Sequence, residues 1–263
     1  MYHLFEWTRK SVGRNELTRQ YEPLQPHMLM ALASHYECET FLDVGANIGA
    51  YALLMSTVPT VKSIHAFEPS PDTFAELRAN VARNNADVQI HNKAVSDRRG
   101  VLQFGIVNTL SGANSVIHTS MHSRFEKRID VEAIKIDEVL VEEGRRVCIK
   151  IDVEGHEPAA LAGMARYLSR NDVLLQIEDY TKSGELQAIL EPHGFGRLFR
   201  IGPDTYFSNI QPLPSDRECV EFFEAAAERL VATNLAALES LYSQGPSPVT
   251  VSLGRTIKVD VTP

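Results

Sequence analysis

From Thr40 onward, short apolar runs alternate with stretches of helical periodicity. "TFLDVG" (40–45) is an apolar run of strand length, and "GAYALLMSTV" (49–58) has helical spacing. "KSIHAFEP" (62–69) predicts a strand and "SPDTFAELRANVARNN" (70–85) a helix, with Ser70 placed to cap it and Pro71 in its first turn. "VQIHNKAV" (88–95), "VCIKIDVEG" (147–155) and "DVLLQIEDY" (172–180) predict further strands. The last two are separated by the helix "EPAALAGMARYLSR" (157–170). Strands that alternate with helices imply an α/β fold whose parallel sheet is covered on both faces.

Three regions leave this rhythm. Residues 1–37 read as a mostly polar helical segment broken at Pro23 and Pro26, with "PHMLMALASHYE" leading into the first strand. Residues 96–136 hold two strand-like runs, "VLQFGIV" and "RIDVEAIKI", around a polar segment. They predict an insertion within a domain spanning 38–212. Residues 213–263 predict a C-terminal helix (215–243) and a tail. Phe223, Ala227, Leu230, Leu235, Leu238 and Leu241 mark the apolar face of that helix, which either packs on the domain or joins two copies as a homodimer.

Composition narrows the class. With 263 residues, 44% hydrophobic and 23% charged, the chain matches ordinary globular proteins. A net charge of −8 speaks against a mainly electrostatic binder of nucleic acid or anionic membranes. Cys38, Cys148 and Cys219 lack the spacing of a zinc site or disulfide framework. No apolar run reaches spanning length and the start is too polar for a secretory signal, so a cytoplasmic protein is expected.

Two constellations carry chemistry. Ligands of open α/β sheets bind beyond the carboxyl ends of the strands, where Asp43, Gly45 and Gly49 fall. A dinucleotide fingerprint would want glycine at position 43. A carboxylate there repels a pyrophosphate and suits an ammonium group, or else serves only the helix start. Glu68, ending the next strand, is placed to accept hydrogen bonds from ribose hydroxyls. Ribose and ammonium without phosphate describe S-adenosylmethionine (SAM). Phe67 and Phe74 are placed to flank its adenine, although Phe74 equally suits the core.

The second constellation is "IKIDVEGHE" (149–157). Strand parity puts Lys150, Asp152 and Glu154 on one face. Charges in a central strand are costly unless they pair or work, so either Lys150 is locked to a carboxylate or this edge is catalytic. Asp152, Glu154 and His156 are the candidate general bases, and Glu178 with Asp179 ends the neighbouring strand. Asp152, Glu154, His156 and Glu178 are also hard ligands of the kind magnesium or manganese takes. Their spacing does not by itself make them converge, and no required metal is expected. The segment "NTLSGANSVIHTSMHSR" (108–124) offers Asn114, Ser115 and His118 to a hydroxyl-bearing acceptor, or is a surface loop.

Taken together, "DVGANIGAYAL", "AFEPSPDTFAELRANV", "KAVSD" and "IKIDVEGHEPAALAG" resemble the FkbM family of SAM-dependent methyltransferases, over about residues 38–182. The resemblance implies a class I methyltransferase (Rossmann-like) sheet of seven mostly parallel strands, the last antiparallel. It implies O-methylation, often of a sugar hydroxyl in a small molecule or glycan. It makes Asp43, Gly45, Asn47, Gly49 and Glu68 the SAM-binding residues, with Ala94 and Val95 near adenine. Asp152 and Glu154 match the family's second motif, whereas His156 and Pro158 depart from it. Two other readings are a nucleotide-dependent oxidoreductase on a related sheet and a SAM-binding module without turnover.

Overall fold

A computed structural model describes residues 24–106, 115–116, 127–179 and 184–242, with the side chains of Ser115 and of 233–242 outside the description. Seven strands form the main sheet: β1 (Thr40–Val44), β2 (Ser63–Phe67), β3 (Gln89–His91), β8 (Arg146–Ile151), β9 (Asp172–Glu178), β10 (Gly196–Ile201) and β11 (Asp204–Ser208). Their order is β10-β11-β9-β8-β1-β2-β3. The pairs β3/β2, β2/β1, β1/β8 and β8/β9 are parallel, and β11, the last strand among the described residues, runs antiparallel to β9 and β10. This is the expected seven-stranded, mostly parallel arrangement.

Strand parity sorts two cores onto the two faces. Phe41, Ala66, Cys148, Leu174 and Tyr206 face a layer built from α1 (Gln25–His35), α2 (Ala50–Met55) and α3 (Pro71–Arg83). Leu42, Val44, Phe67, Ile149, Ile151 and Leu175 face α5 (Glu157–Ala162), α6 (Ala165–Arg170) and α7 (Glu185–Leu190). The short helix α4 (Ile136–Val139) adds Ile136 to this second core. Ser70 caps α3, accepting from the Thr73 amide at 3.5 Å.

Several predicted elements divide. The 88–95 strand splits: β3 joins the main sheet, and β4 (Ala94–Val95) joins a second sheet. That sheet has the order β4-β7-β5-β6 and takes β5 (Gly100–Ile106), β6 (Ser115–Val116) and β7 (Lys127–Ile134) from the predicted insertion. Leu102, Phe104, Ile106, Val116 and Val131 give it a core of its own. The 157–170 helix breaks into α5 and α6 at Gly163, where a Cβ would lie 1.9 Å from the Ser96 carbonyl oxygen.

The C-terminal helix α8 (Asp216–Tyr242) packs on α1, with the expected Phe223 against the core and the side chains of Leu235, Leu238 and Leu241 outside the described residues. Phe222 and Ala226 are buried, whereas Ala227 is exposed. Phe222 meets the His35 ring edge-on at 4.8 Å, and Phe223 lies 5.1 Å from Phe199. No helix among the described residues is long and apolar enough to cross a membrane.

Candidate active site

The loop after β1 is built around two glycines. Gly45 has φ +83°, and a Cβ there would sit 1.8 Å from the Asp152 carbonyl oxygen, so its hydrogen lets β1 and β8 close together at their tips. Gly49 has φ +88° and stands at the N-cap of α2 without a side chain to cap it. Asp43, only 1% exposed, reaches up from β1 instead, and its Oδ2 accepts from the Ala52 amide at 3.0 Å. Asp43 thus serves the helix start.

Four amides of this loop, those of Gly45, Ala46, Asn47 and Gly49, are spent inside the protein. Gly45 and Ala46 both donate to the Phe67 carbonyl, at 3.0 and 2.9 Å, and Gly49 donates to Ala46 at 2.8 Å. Asn47, at φ +50°, donates to Glu68 Oε2 at 3.0 Å. A pyrophosphate cradle is built from such amides turned outward. This donor arrangement does not fit one.

Glu68 lies just past β2 and is 6% exposed. Its Oε1 accepts from the Ser70 amide at 2.8 Å. Burial pushes its carboxyl up to about 7; the Ser70 and Asn47 amides oppose this, and the nearby carboxylates of Asp43 and Asp152 add to it. Asp43, Glu68 and Asp152 therefore share one electrostatic neighbourhood at the tips of β1, β2 and β8.

The strand that carries Lys150 ends at Ile151, earlier than predicted. The parity argument holds through Lys150 only. Glu154 adopts φ +56° and Gly155 φ +99°, a left-handed pair that turns the chain toward α5. Glu157 shapes the turn: its Oε1 accepts from the Val153 and Gly155 amides, at 3.2 and 3.1 Å. Burial raises the Glu157 carboxyl above its ordinary value, against those hydrogen bonds. The turn, rather than strand parity, brings Asp152, Glu154 and Glu178 together, each with a carboxylate oxygen within 4.8 Å of the others.

His156 stands apart from that group. It is 6% exposed at the N-cap of α5, and its Nε2 is 3.0 Å from Ser96 Oγ. The Ser96 hydroxyl donates to Asp97 Oδ1 at 3.0 Å, so it accepts from His156, which carries its proton on Nε2. Ala94 is buried in the core of the second sheet and Val95 in the main-sheet core that faces α5, α6 and α7. Phe67 stacks on His91 with centroids 4.5 Å apart, and Phe74 packs against the core. Asn114 and His118 lie outside the described residues, as does Tyr180; Ser115 is described only as the backbone partner of Gly105.

Three supporting residues escaped sequence reasoning. Tyr51 lies under Lys150, Gln176 donates to the Tyr51 hydroxyl at 3.0 Å, and Ser96 holds His156. A single glutamine inside the apolar run "VLLQIE" was the available signal for Gln176.

The order of the seven-stranded sheet, with its antiparallel β11, is that of a class I methyltransferase. The model of the methyltransferase FkbM domain matches residues 43–229, reaching past the C-terminal end of the 38–182 resemblance, and the chain belongs to that family. It is similar to the 31-O-demethyl-FK506 methyltransferase FkbM of Streptomyces tacrolimicus, with 28% identity over 188 residues, 60% of this chain and 72% of that protein. It is 34% identical over 175 residues to the hexuronic acid methyltransferase AglP of Haloferax volcanii, covering 65% of this chain and 69% of that one. A solved methyltransferase FkbM from Methylobacillus flagellatus aligns at 18% identity with a TM-score of 0.47, over 65% of this chain and 44% of that one.

Proposed function

We propose that this methyltransferase uses SAM to methylate a hydroxyl oxygen of a sugar or a glycan-containing acceptor. One observation carries the cofactor reading: Asp43, Glu68 and Asp152 meet at a glycine loop that spends the amides of Gly45, Ala46, Asn47 and Gly49 inside the protein, which favours a cationic, phosphate-free nucleoside. The name of one relative, with its 31-O-demethyl substrate, supports an oxygen acceptor, and that of the other, with its hexuronic acid, supports a sugar-like compound.

SAM supplies an electrophilic methyl on a sulfonium. The chain's task is to align the acceptor oxygen and take up its proton. Alignment is worth up to roughly 7–11 kcal/mol in favourable cases. Asn47 and Glu68 hold the nucleoside end, Glu68 by accepting from ribose hydroxyls. Either Asp152 or Glu154, grouped with Glu178, takes the proton. His156 positions the turn, because its ring is committed to Ser96. Glu178 contacts the acceptor, together with Asn114, Ser115 and His118.

The test is transfer of labelled methyl from SAM to a panel of neutral glycosides, uronic acids and macrolide alcohols. Whichever of Asp152→Asn and Glu154→Gln removes the base is expected to lose roughly 10²–10⁴-fold in rate, the range for a general base. Wild-type rates in both variants would sink the base assignment. Methylation confined to amines or carboxyls would sink the hydroxyl reading.

A further inference from the structure

Lys150 is a charge that the reading above leaves without a role. It is 5% exposed, and no other lysine or arginine among the described residues is buried. Strand register sets it between Asp43 on β1 and Gln176 on β9. Its Nζ lies 2.9 Å from Asp152 Oδ2 and 4.6 Å from the centroid of the Tyr51 ring. The ring is fixed in turn. Gln176 Nε2 donates to the Tyr51 hydroxyl and, at 2.9 Å, to Asp204 Oδ1; Gln25 donates to Asp204 Oδ2 at 3.5 Å. Residues from α1, α2, β9 and β11 thus brace one ammonium group.

Stability alone is a poor reason for such a construction. A buried ion pair often does no better than apolar side chains of the same volume. The surroundings suggest another reason, because Asp152, Glu154 and Glu178 concentrate carboxylate oxygens at the tip of the same strand. Methyl transfer removes the sulfonium charge, so SAM carries one more positive charge than its demethylated product, S-adenosylhomocysteine (SAH). Carboxylates at this tip favour the donor over the product, and a fixed cation beside them limits that preference.

We propose that Lys150 sets the charge selectivity of the cofactor crevice, offsetting the Asp152–Glu154–Glu178 carboxylates so that donor and product are held with comparable strength. The proposal rests on SAM being the cofactor. It is tested by calorimetric titration of the full chain with SAM and with SAH, in the wild type and in Lys150→Met, Lys150→Arg and Asp152→Asn. The readout is the ratio of the SAH to the SAM dissociation constant.

Lys150→Met should raise the ratio roughly tenfold, the effect of one uncompensated charge in a partly buried site. Lys150→Arg should keep it within about twofold of wild type, and Asp152→Asn should lower it. Were Lys150 only a lock, both ligands would weaken together and the ratio would hold, which overturns the proposal. If Lys150→Met does not fold, an unmoved ratio in Asp152→Asn, whose side chain is partly solvent-accessible, overturns it equally. A wild type that binds neither ligand overturns the SAM reading and this proposal with it. A wild type that binds both, with fixed ratios in the variants, overturns the proposal alone.

Discussion

Glu68 offers the sharpest perturbation. Its carboxyl is raised from 4.5 to about 7, chiefly by burial, in a site that also holds Asp43 and Asp152. Because the folded value exceeds the unfolded one, its contribution to stability is fully present below about pH 4.5 and is lost as pH rises to about 7. At roughly 1.4 kcal/mol per pH unit, the ligand-free protein loses about 3 kcal/mol over that window through this group. Ligand binding runs the other way. Ribose hydroxyls donate to the ionised carboxylate, so SAM binding requires Glu68 to be ionised. At pH 6 a carboxyl with a value near 7 is about nine-tenths protonated, and affinity should be about tenfold weaker than at pH 8. Titration calorimetry from pH 5.5 to 8.5, in buffers of differing ionisation enthalpy, would show release of close to one proton at pH 6 and almost none at pH 8. Glu68→Gln should flatten the pH dependence, weaken binding at pH 8, and raise the melting temperature of the ligand-free protein at pH 8. A flat wild-type profile, or a slope that survives in Glu68→Gln, would refute the assignment of Glu68 to the ribose.

Other outcomes follow from the same geometry. Gly45→Ala places a Cβ against the Asp152 carbonyl at a left-handed φ; it should cost at least about 2 kcal/mol in chemical denaturation and abolish SAM binding by calorimetry. Ser96→Ala leaves the buried His156 Nε2–H without its acceptor, and a loss of about 1–3 kcal/mol is expected, with a changed imidazole 15N signature by NMR. Phe222→Ala empties the seam between α1 and α8; a cost of about 3–5 kcal/mol and earlier proteolytic cleavage within 216–232 would report it.

Much of the main sheet was legible because its strands are apolar on both faces. "TFLDV" is buried at every position, so length and composition marked it without any need for alternation. The strand 88–95 was misread as one element for a tertiary reason. Gln89–His91 pairs with β2 whereas Ala94–Val95 pairs with β7, and no local propensity separates the two destinations. On α8 helical spacing placed Phe223 against Phe199, but it missed Phe222, which turns inward onto the His35 ring, and put the exposed Ala227 on the packed face. The strands Gly196–Ile201 and Asp204–Ser208 escaped because their antiparallel hairpin broke the strand–helix alternation that guided the reading.

The candidate site shows the same division at finer scale. Asp43, Gly45, Gly49 and Glu68 were legible because each sits where a strand ends, and a strand end has one geometry that chemistry can use. Asp152, Glu154 and Glu178 converge for a reason the sequence states only indirectly. Strand parity would have pointed Glu154 along one face, yet the chain leaves β8 at Ile151 and folds back through a left-handed glutamate and glycine. A non-glycine residue at positive φ is held there at a cost, and such costs collect where a side chain has to be aimed. Glu157 stabilises the bend by accepting two of its amides, while Lys150 anchors the carboxylate at its start. The motif "KIDVEGHE" is therefore one device: a cation and a carboxylate that fix the entry, a turn that presents Glu154, and a buried glutamate that keeps the turn in shape.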